Sequence, residues 1–377
     1  MLLIFFFNAL LFSYLLFKNG FLENKQSSKW LATFIILGGF YICPFMLGYA
    51  GWYSERPNRE FMFFVPFQQL FLIGPVFYFY IKSFLNKNFK LTKKDLIHFL
   101  PATLYLGYAI VVFVVDKFMM DELYFYADGK DKDLALWYQI SGLISMLFYL
   151  YLSLNYYLKY RKRSIQEVSY ADDIAFKWIR NFAVALCLIL LFRVLYFVIN
   201  PKWGNFGRKY WYYLCFSILL LYISITGYTN TIKRTIGLGS TILDTDLSEE
   251  TNNQVNEINE SNIELSDWKE KISNLFDTEK VYINPNLTLT EIATLLNTNR
   301  NVISKVINQS FEMNFNDFVN QKRAEGVIQK LKDGDHKQST LLGIALDCGF
   351  NSKTTFNRAF KKHTSTTPKQ YIQKHQL

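Results

Sequence analysis

Ser339-Thr340-Leu341-Leu342-Gly343-Ile344-Ala345-Leu346-Asp347-Cys348-Gly349-Phe350, then Asn351-Ser352-Lys353-Thr354-Thr355-Phe356-Asn357-Arg358-Ala359-Phe360-Lys361-Lys362, closed by Thr367-Pro368-Lys369-Gln370-Tyr371, reads as two helices around a tight turn. Leu341, Ile344, Ala345 and Cys348 recur at helical spacing. Gly349 is placed to end the first helix in the left-handed conformation, and Ser352 can cap the second. On that second helix Phe356, Ala359 and Phe360 share one face. The opposite face carries Thr354, Asn357, Arg358 and Lys361, with Lys353 beside them, a set that suits a DNA groove.

These residues resemble the second helix-turn-helix of AraC/XylS-type transcription regulators. Ile344, Ala345, Gly349, Phe350, Ser352, Phe356, Arg358, Phe360, Lys361, Lys362, Thr367, Pro368 and Tyr371 fill the family's signature. Ser365 departs from it, standing where the family has Gly before Thr-Pro, which implies some strain in a left-handed turn. Upstream, Thr288 to Glu291 forms a capping box with Ile292, Ala293 and Leu296 behind it. Thr298 is expected to cap the next helix, over 299–308, which buries Val302, Ile303, Val306 and Ile307. That pair resembles the family's first helix-turn-helix, and Phe315, Phe318, Arg323 and Leu331 match its long connecting helix. Glu312 replaces the usual Gly, and Val327 the usual Ala. The resemblance implies two reading heads on one rigid helix, about one DNA turn apart. Expected base contacts are Arg300, Asn301, Ser304 and Lys305 from the first head, and Lys353, Thr354, Asn357 and Arg358 from the second. Lys361, Lys362 and Lys369 are expected on phosphates, setting affinity rather than sequence.

The rest of the chain is different in kind. Of 377 residues, 51% are hydrophobic and 18% aromatic, including 36 Phe and 25 Tyr, which exceeds an ordinary soluble domain. Mean hydropathy is only +0.07, the average of an apolar part and a polar part. Charge divides the same way: before Thr235 there are 25 Lys and Arg against 13 Asp and Glu, over 235–280 it is 3 against 11, and from Val281 it is 13 against 7. Expected domains are therefore a membrane region over 1–234, an acidic linker over 235–280 and an AraC-like domain over 281–377. Within the linker, 266–276 can form a short amphipathic helix that docks on the tail or helps two chains meet. The scattered Cys43, Cys187, Cys215 and Cys348 and the four His make neither a disulfide framework nor a metal spacing, and no cofactor motif is present.

Seven apolar runs are candidate membrane spans: 1–17, 30–52, 61–85, 96–115, 134–158, 181–199 and 210–228. The start has no basic n-region or cleavage site, so it reads as a retained span. Lys and Arg concentrate in the first, third and fifth connections, while the fourth is acidic through Asp116, Asp121, Glu122, Asp128, Asp131 and Asp133. The sixth, with Lys202, Arg208 and Lys209, argues weakly the other way. The excess expects the N-terminus outside and the tail inside a cell inner or plasma membrane. The expected fold class is thus all-α, a seven-helix bundle followed by a cytoplasmic pair of helix-turn-helix units.

The connections are too short to build an outer domain, so a sensor would lie within the bundle. Gln68, Gln69, Gln139 and Arg193 fall at one depth below the outer surface, with Asn8 at a similar depth. An intramembrane Arg marks a functional site by default. The other reading is that Arg193 pairs with Asp116 or Glu60 while the glutamines join helices. The spans hold no acid pair, His cluster or nucleophile motif for catalysis. Expected partners are double-stranded DNA, the lipid bilayer and a small ligand or membrane signal, with a homodimer left open. The alternative of another class is a receptor-like or transporter-like bundle whose tail binds protein.

Overall fold

The computed structural model describes residues 1–86, 88–120, 123–171, 176–195, 209–236 and 265–376. Lys87, Asp121, Glu122, Lys202, Arg208 and most of the expected linker lie outside them. Among the described residues the regular elements are all helices, with a single isolated antiparallel bridge. The chain divides into two compact units: Met1–Tyr157 with Lys177–Asp246, and Leu158–Phe176 with Leu247–Leu377.

The first unit contains α1 (Leu2–Leu22), α2 (Gln26–Tyr49), α3 (Arg56–Phe64), α4 (Leu70–Leu85), α5 (Leu100–Val114), the first part of α6 (Leu136–Glu167), α7 (Phe176–Val194) and α8 (Tyr210–Ile236). Among the described residues, five helical stretches are long and apolar enough to cross a membrane: α1, α2, the stretch Lys93–Met119 around α5, α6 and α8. The expected third span is not one helix. Pro66 has no amide hydrogen and restricts the residue before it, so α3 ends at Phe64 and the chain restarts at Leu70. In α7 the three cations Lys177, Arg180 and Arg193 interrupt the apolar run.

α2 is central, packing on α1, α4 and α8. Gly38 and Gly39 lie where two neighbouring helices come close. A β-carbon at Gly38 would lie 2.8 Å from Leu220 of α8, and one at Gly39 would lie 3.2 Å from the Ala9 β-carbon of α1. The pair lets two neighbours approach on adjacent faces. Exposed Leu, Ile, Val and Phe side chains cover the outward faces of α1 and α5.

The second unit holds α9 (Leu265–Thr278), α10 (Leu289–Leu295), α11 (Arg300–Ser310), α12 (Phe315–Lys332), α13 (Leu341–Asp347), α14 (Lys353–Thr364) and α15 (Pro368–His375). Two apolar cores share α12. Phe315, Phe318 and Val319 close the first core with Ile272, Phe276, Ile292, Ile303 and Val306. Ala324, Val327 and Leu331 close the second with Ile344, Ala345, Cys348, Phe356 and Phe360. The amphipathic helix expected at 266–276 is α9, and it docks on the tail through Ile272, Leu275 and Phe276.

Candidate nucleic-acid interface

Local chemistry fixes each helix that would face DNA. Thr288 and Glu291 form the reciprocal capping box of α10. The cap of α11 is Asn299, one residue beyond the expected Thr298; its side chain accepts from the Asn301 amide at 3.0 Å. Ser352 caps α14 by accepting from the Thr355 amide at 3.2 Å. Thr340 and Thr367 cap α13 and α15 in the same way. Each cap satisfies amide hydrogens that a helix start leaves unpaired.

The turns are equally specific. Gly349 has φ +90°, and a β-carbon there would lie 2.4 Å from the Tyr282 carbonyl oxygen. Glu312 at φ +56° and Ser365 at φ +60° are both left-handed. Both positions where glycine was expected from the resemblance are thus left-handed, a conformation that glycine would adopt without strain.

On α11, Asn301 is exposed while Arg300, Ser304 and Lys305 are half-buried. On α14, Lys353, Thr354, Asn357, Arg358, Lys361 and Lys362 are all exposed, opposite the buried Thr355, Phe356 and Phe360. Lys362 does not stand alone: its Nζ meets Asp317 of α12 at 2.7 Å. That ion pair crosses a groove of about 430 Å³ between the two halves, whose walls include Glu312, Gln321 and Arg358. Arg323 is 1% exposed and serves the scaffold, donating to the Tyr282 carbonyl at 2.9 Å and the Asn284 carbonyl at 2.8 Å.

In the first unit, three of the four expected polar residues meet. Arg193 donates to the carbonyl and side-chain oxygens of Gln139 at 2.8 and 2.9 Å, and Gln139 donates to Gln68 at 2.7 Å. Gln68 is fully buried and also donates to the Tyr41 carbonyl at 3.1 Å. Gln69 is separate, bonded to the Pro66 carbonyl, and Asn8 to the Ile4 carbonyl of its own helix. Arg193 pairs with neither suggested acid. Asp116 instead accepts from the Tyr124 and Phe125 amides, and Glu60 pairs with Lys117 and Arg56.

The acids that do join this network are Asp131 and Asp133, which sequence reasoning read only as loop charge. Asp133 accepts from the Tyr105 hydroxyl at 2.5 Å and the Gln68 amide at 2.9 Å. Asp131 accepts from the Tyr53 hydroxyl at 2.5 Å and the Asp133 amide at 2.9 Å. Burial, together with the neighbouring Asp133 charge, pushes the Asp131 carboxyl up to about 7. Burial raises Asp133 to about 6, against the pull of its hydrogen bonds. The tyrosine-rich surroundings were the available signal, but nothing in the spacing joins Tyr53, Tyr105 and Asp133.

Residues 292–374 match a helix-turn-helix domain family. An "Uncharacterized HTH-type transcriptional regulator" of Staphylococcus aureus (strain COL) is 32% identical over 102 residues, 27% of this chain. A "Probable transcription factor PqrA" of Proteus vulgaris is 41% identical over 49 residues, 13% of this chain and 40% of that protein. The chain spans only about 13% of the length of the staphylococcal relatives it matches. No solved structure matches the chain at a significant level.

Proposed function

We propose that this chain is a membrane-anchored, sequence-specific DNA-binding regulator of transcription. The observation that carries the reading is a pair of capped helix-turn-helix units on one continuous helix, the second presenting Lys353, Thr354, Asn357 and Arg358 outward and the first Asn301 beside half-buried Arg300, Ser304 and Lys305. α12 has 18 residues, and at about 1.5 Å rise per residue it is roughly 27 Å long. Separation on that scale suits two heads entering successive major-groove segments, which lie about 34 Å apart on one face of DNA. Arg300, Asn301, Ser304 and Lys305 would read one segment, and Lys353, Thr354, Asn357 and Arg358 the next. Lys361 and Lys369 would hold phosphates, and Lys362 would do so by leaving Asp317.

The broken α3–α4 pair and α7 complete seven spans when counted with the five long helices. That count, with the excess of cations in the first, third and fifth connections, supports an outside N-terminus and a cytoplasmic tail in a cell inner or plasma membrane. The buried Arg193–Gln139–Gln68 chain is the proposed sensing element. The crevice beneath Arg193, between Tyr41, Met146 and Tyr212, holds only about 20 Å³. A ligand would therefore enter only in a second, more open bundle arrangement, and the difference between the two is the signal. Two chains brought together would raise apparent affinity through effective concentration.

The test is selection of binding sites from a random DNA pool by the full chain in lipid nanodiscs, at two salt concentrations. A bipartite motif is expected, and Arg358→Ala should cost about 1–3 kcal/mol at one half of it. Binding that vanishes with salt and enriches no motif would reduce the tail to nonspecific electrostatics and favour a protein-binding module.

A further inference from the structure

The second unit contains a piece of chain far from the tail in sequence. Leu158–Phe176, the connection that follows the apolar part of α6, belongs to the same compact unit as the helix-turn-helix pair. Within it Ser164, Val168, Ser169, Tyr170 and Ala171 are buried. A polar interconnecting loop has no reason to be dry unless something covers it and satisfies its backbone.

The tail supplies that partner. The Ser169 amide donates to the Leu287 carbonyl at 3.1 Å, and Val168 forms an antiparallel bridge with Thr288, the cap of α10. From α12, Asn316 Nδ2 donates to the Ser169 carbonyl at 2.8 Å, and Arg323 Nη2 donates to the Ser169 hydroxyl at 3.0 Å. Asn320 Nδ2 donates to Asn316 Oδ1 at 3.2 Å, and Arg323 Nη1 donates to Asn320 Oδ1 at 3.3 Å, which locks the three side chains into one ladder. Asn316 and Asn320 are 3% and 4% exposed, so their amides depend on protein partners rather than water. The apolar pattern of α12 does not call for either asparagine.

We infer that residues 168–171, which follow the end of α6, form a docking strap that the tail domain of the same chain recognises mainly through its backbone, as an added strand is recognised at a sheet edge. The strap sits on α12, whose side chains enter both cores of the tail, and its hydrogen bonds to α12 run to Asn316 and Arg323. Movement of the α6–α7 connection therefore reaches both heads through α12 without passing along the acidic linker.

An antiparallel bridge flanked by the Ser169–Leu287 bond is a close-spaced pair, which suits a disulfide. The experiment uses the full chain in nanodiscs carrying Val168→Cys and Thr288→Cys, with Val168→Cys and Ser339→Cys as the control pair. Mild oxidation should give a 168–288 linkage within one chain, identified by peptide mapping, at least tenfold faster than the control linkage. Asn316→Ala should slow it about tenfold. Hydrogen exchange over α14 in the same samples shows whether that variant still folds; if it does not, Ser169→Pro, which removes the strap's amide donor, carries the comparison. In the unsubstituted chain the Ser169 amide should exchange at least a hundredfold slower than a free amide. A linkage rate equal to the control, an unprotected Ser169 amide, or linkage only between copies would each overturn the in-chain strap.

Discussion

Gly349→Ala puts the scaffold behind the second head under the sharpest load. An L-residue held in the left-handed region costs about 1–2 kcal/mol. The added β-carbon would lie 2.4 Å from the Tyr282 oxygen, 2.8 Å from the Ile283 oxygen and 3.0 Å from Arg323 Nε. Two of these atoms are backbone, so the 282–283 segment must move. Tyr282 is also the acceptor for the Arg323 Nε hydrogen, and losing a hydrogen bond to a buried charge costs about 1.5–3 kcal/mol. The combined destabilisation is about 2.5–5 kcal/mol, at the upper end of what single substitutions cost. Hydrogen exchange with peptide resolution, on the full chain, should show the opening free energies of α12 to α14 falling by that amount while α1 and α2 stay unchanged. A loss below about 1 kcal/mol would mean that the turn accommodates a side chain, and that the tight Gly349–Arg323 geometry is not what holds the second head.

The opposite substitution tests the two strained turns: Ser365→Gly and Glu312→Gly should each stabilise the tail by about 0.5–1 kcal/mol, the relief of left-handed strain less the entropy that glycine adds to the unfolded chain; no gain in exchange protection would show the strain to be absent. For Asp131 and Asp133, the folded chain keeps protons that unfolded carboxyls release near 3.8. Stability is therefore fullest below about pH 4 and falls as pH rises through the window from about 4 to 7. The thermal midpoint of the bundle should be higher at pH 5 than at pH 8, and Asp131→Asn should flatten that slope; an unaltered slope in the variant would remove the pair as its cause. On DNA, Arg358→Ala should relax sequence preference at one position, whereas Lys361→Ala should weaken all sequences alike and reduce the salt slope by about one unit. Equal effects of the two on specificity would contradict the division between base and phosphate contacts.

What could be read beforehand was what neighbouring residues decide among themselves. The caps at Thr288 and Ser352, the left-handed Gly349 and the apolar faces of α11 and α14 all follow from residues within four positions of each other. Even the misplaced cap at Thr298 is local, because Thr and Asn are both good caps and the chain used Asn299. The third expected span is broken where α3 gives way to α4 at Pro66, whose effect on the backbone outweighs the apolar run around it. What stayed hidden depends on partners distant in sequence. Asn316 and Asn320 look like surface residues until Ser169 is brought to them across about 150 residues of chain. Asp131 and Asp133 look like solvated loop acids until Tyr53, Tyr105 and Gln68 close over them. Arg193 was expected to find a carboxylate, but its partner is a glutamine from α6.

The central claim is that one tail places two reading heads on DNA. Chemical interference mapping on a selected site answers it most directly, using the full chain in nanodiscs and guanine methylation at N7 as the probe. Two protected major-groove patches are expected on one face of the duplex, about 10 base pairs apart, with Arg300→Ala and Arg358→Ala each erasing a different patch. A single patch, or two patches that respond identically to both substitutions, would contradict a tail that reads DNA with two heads.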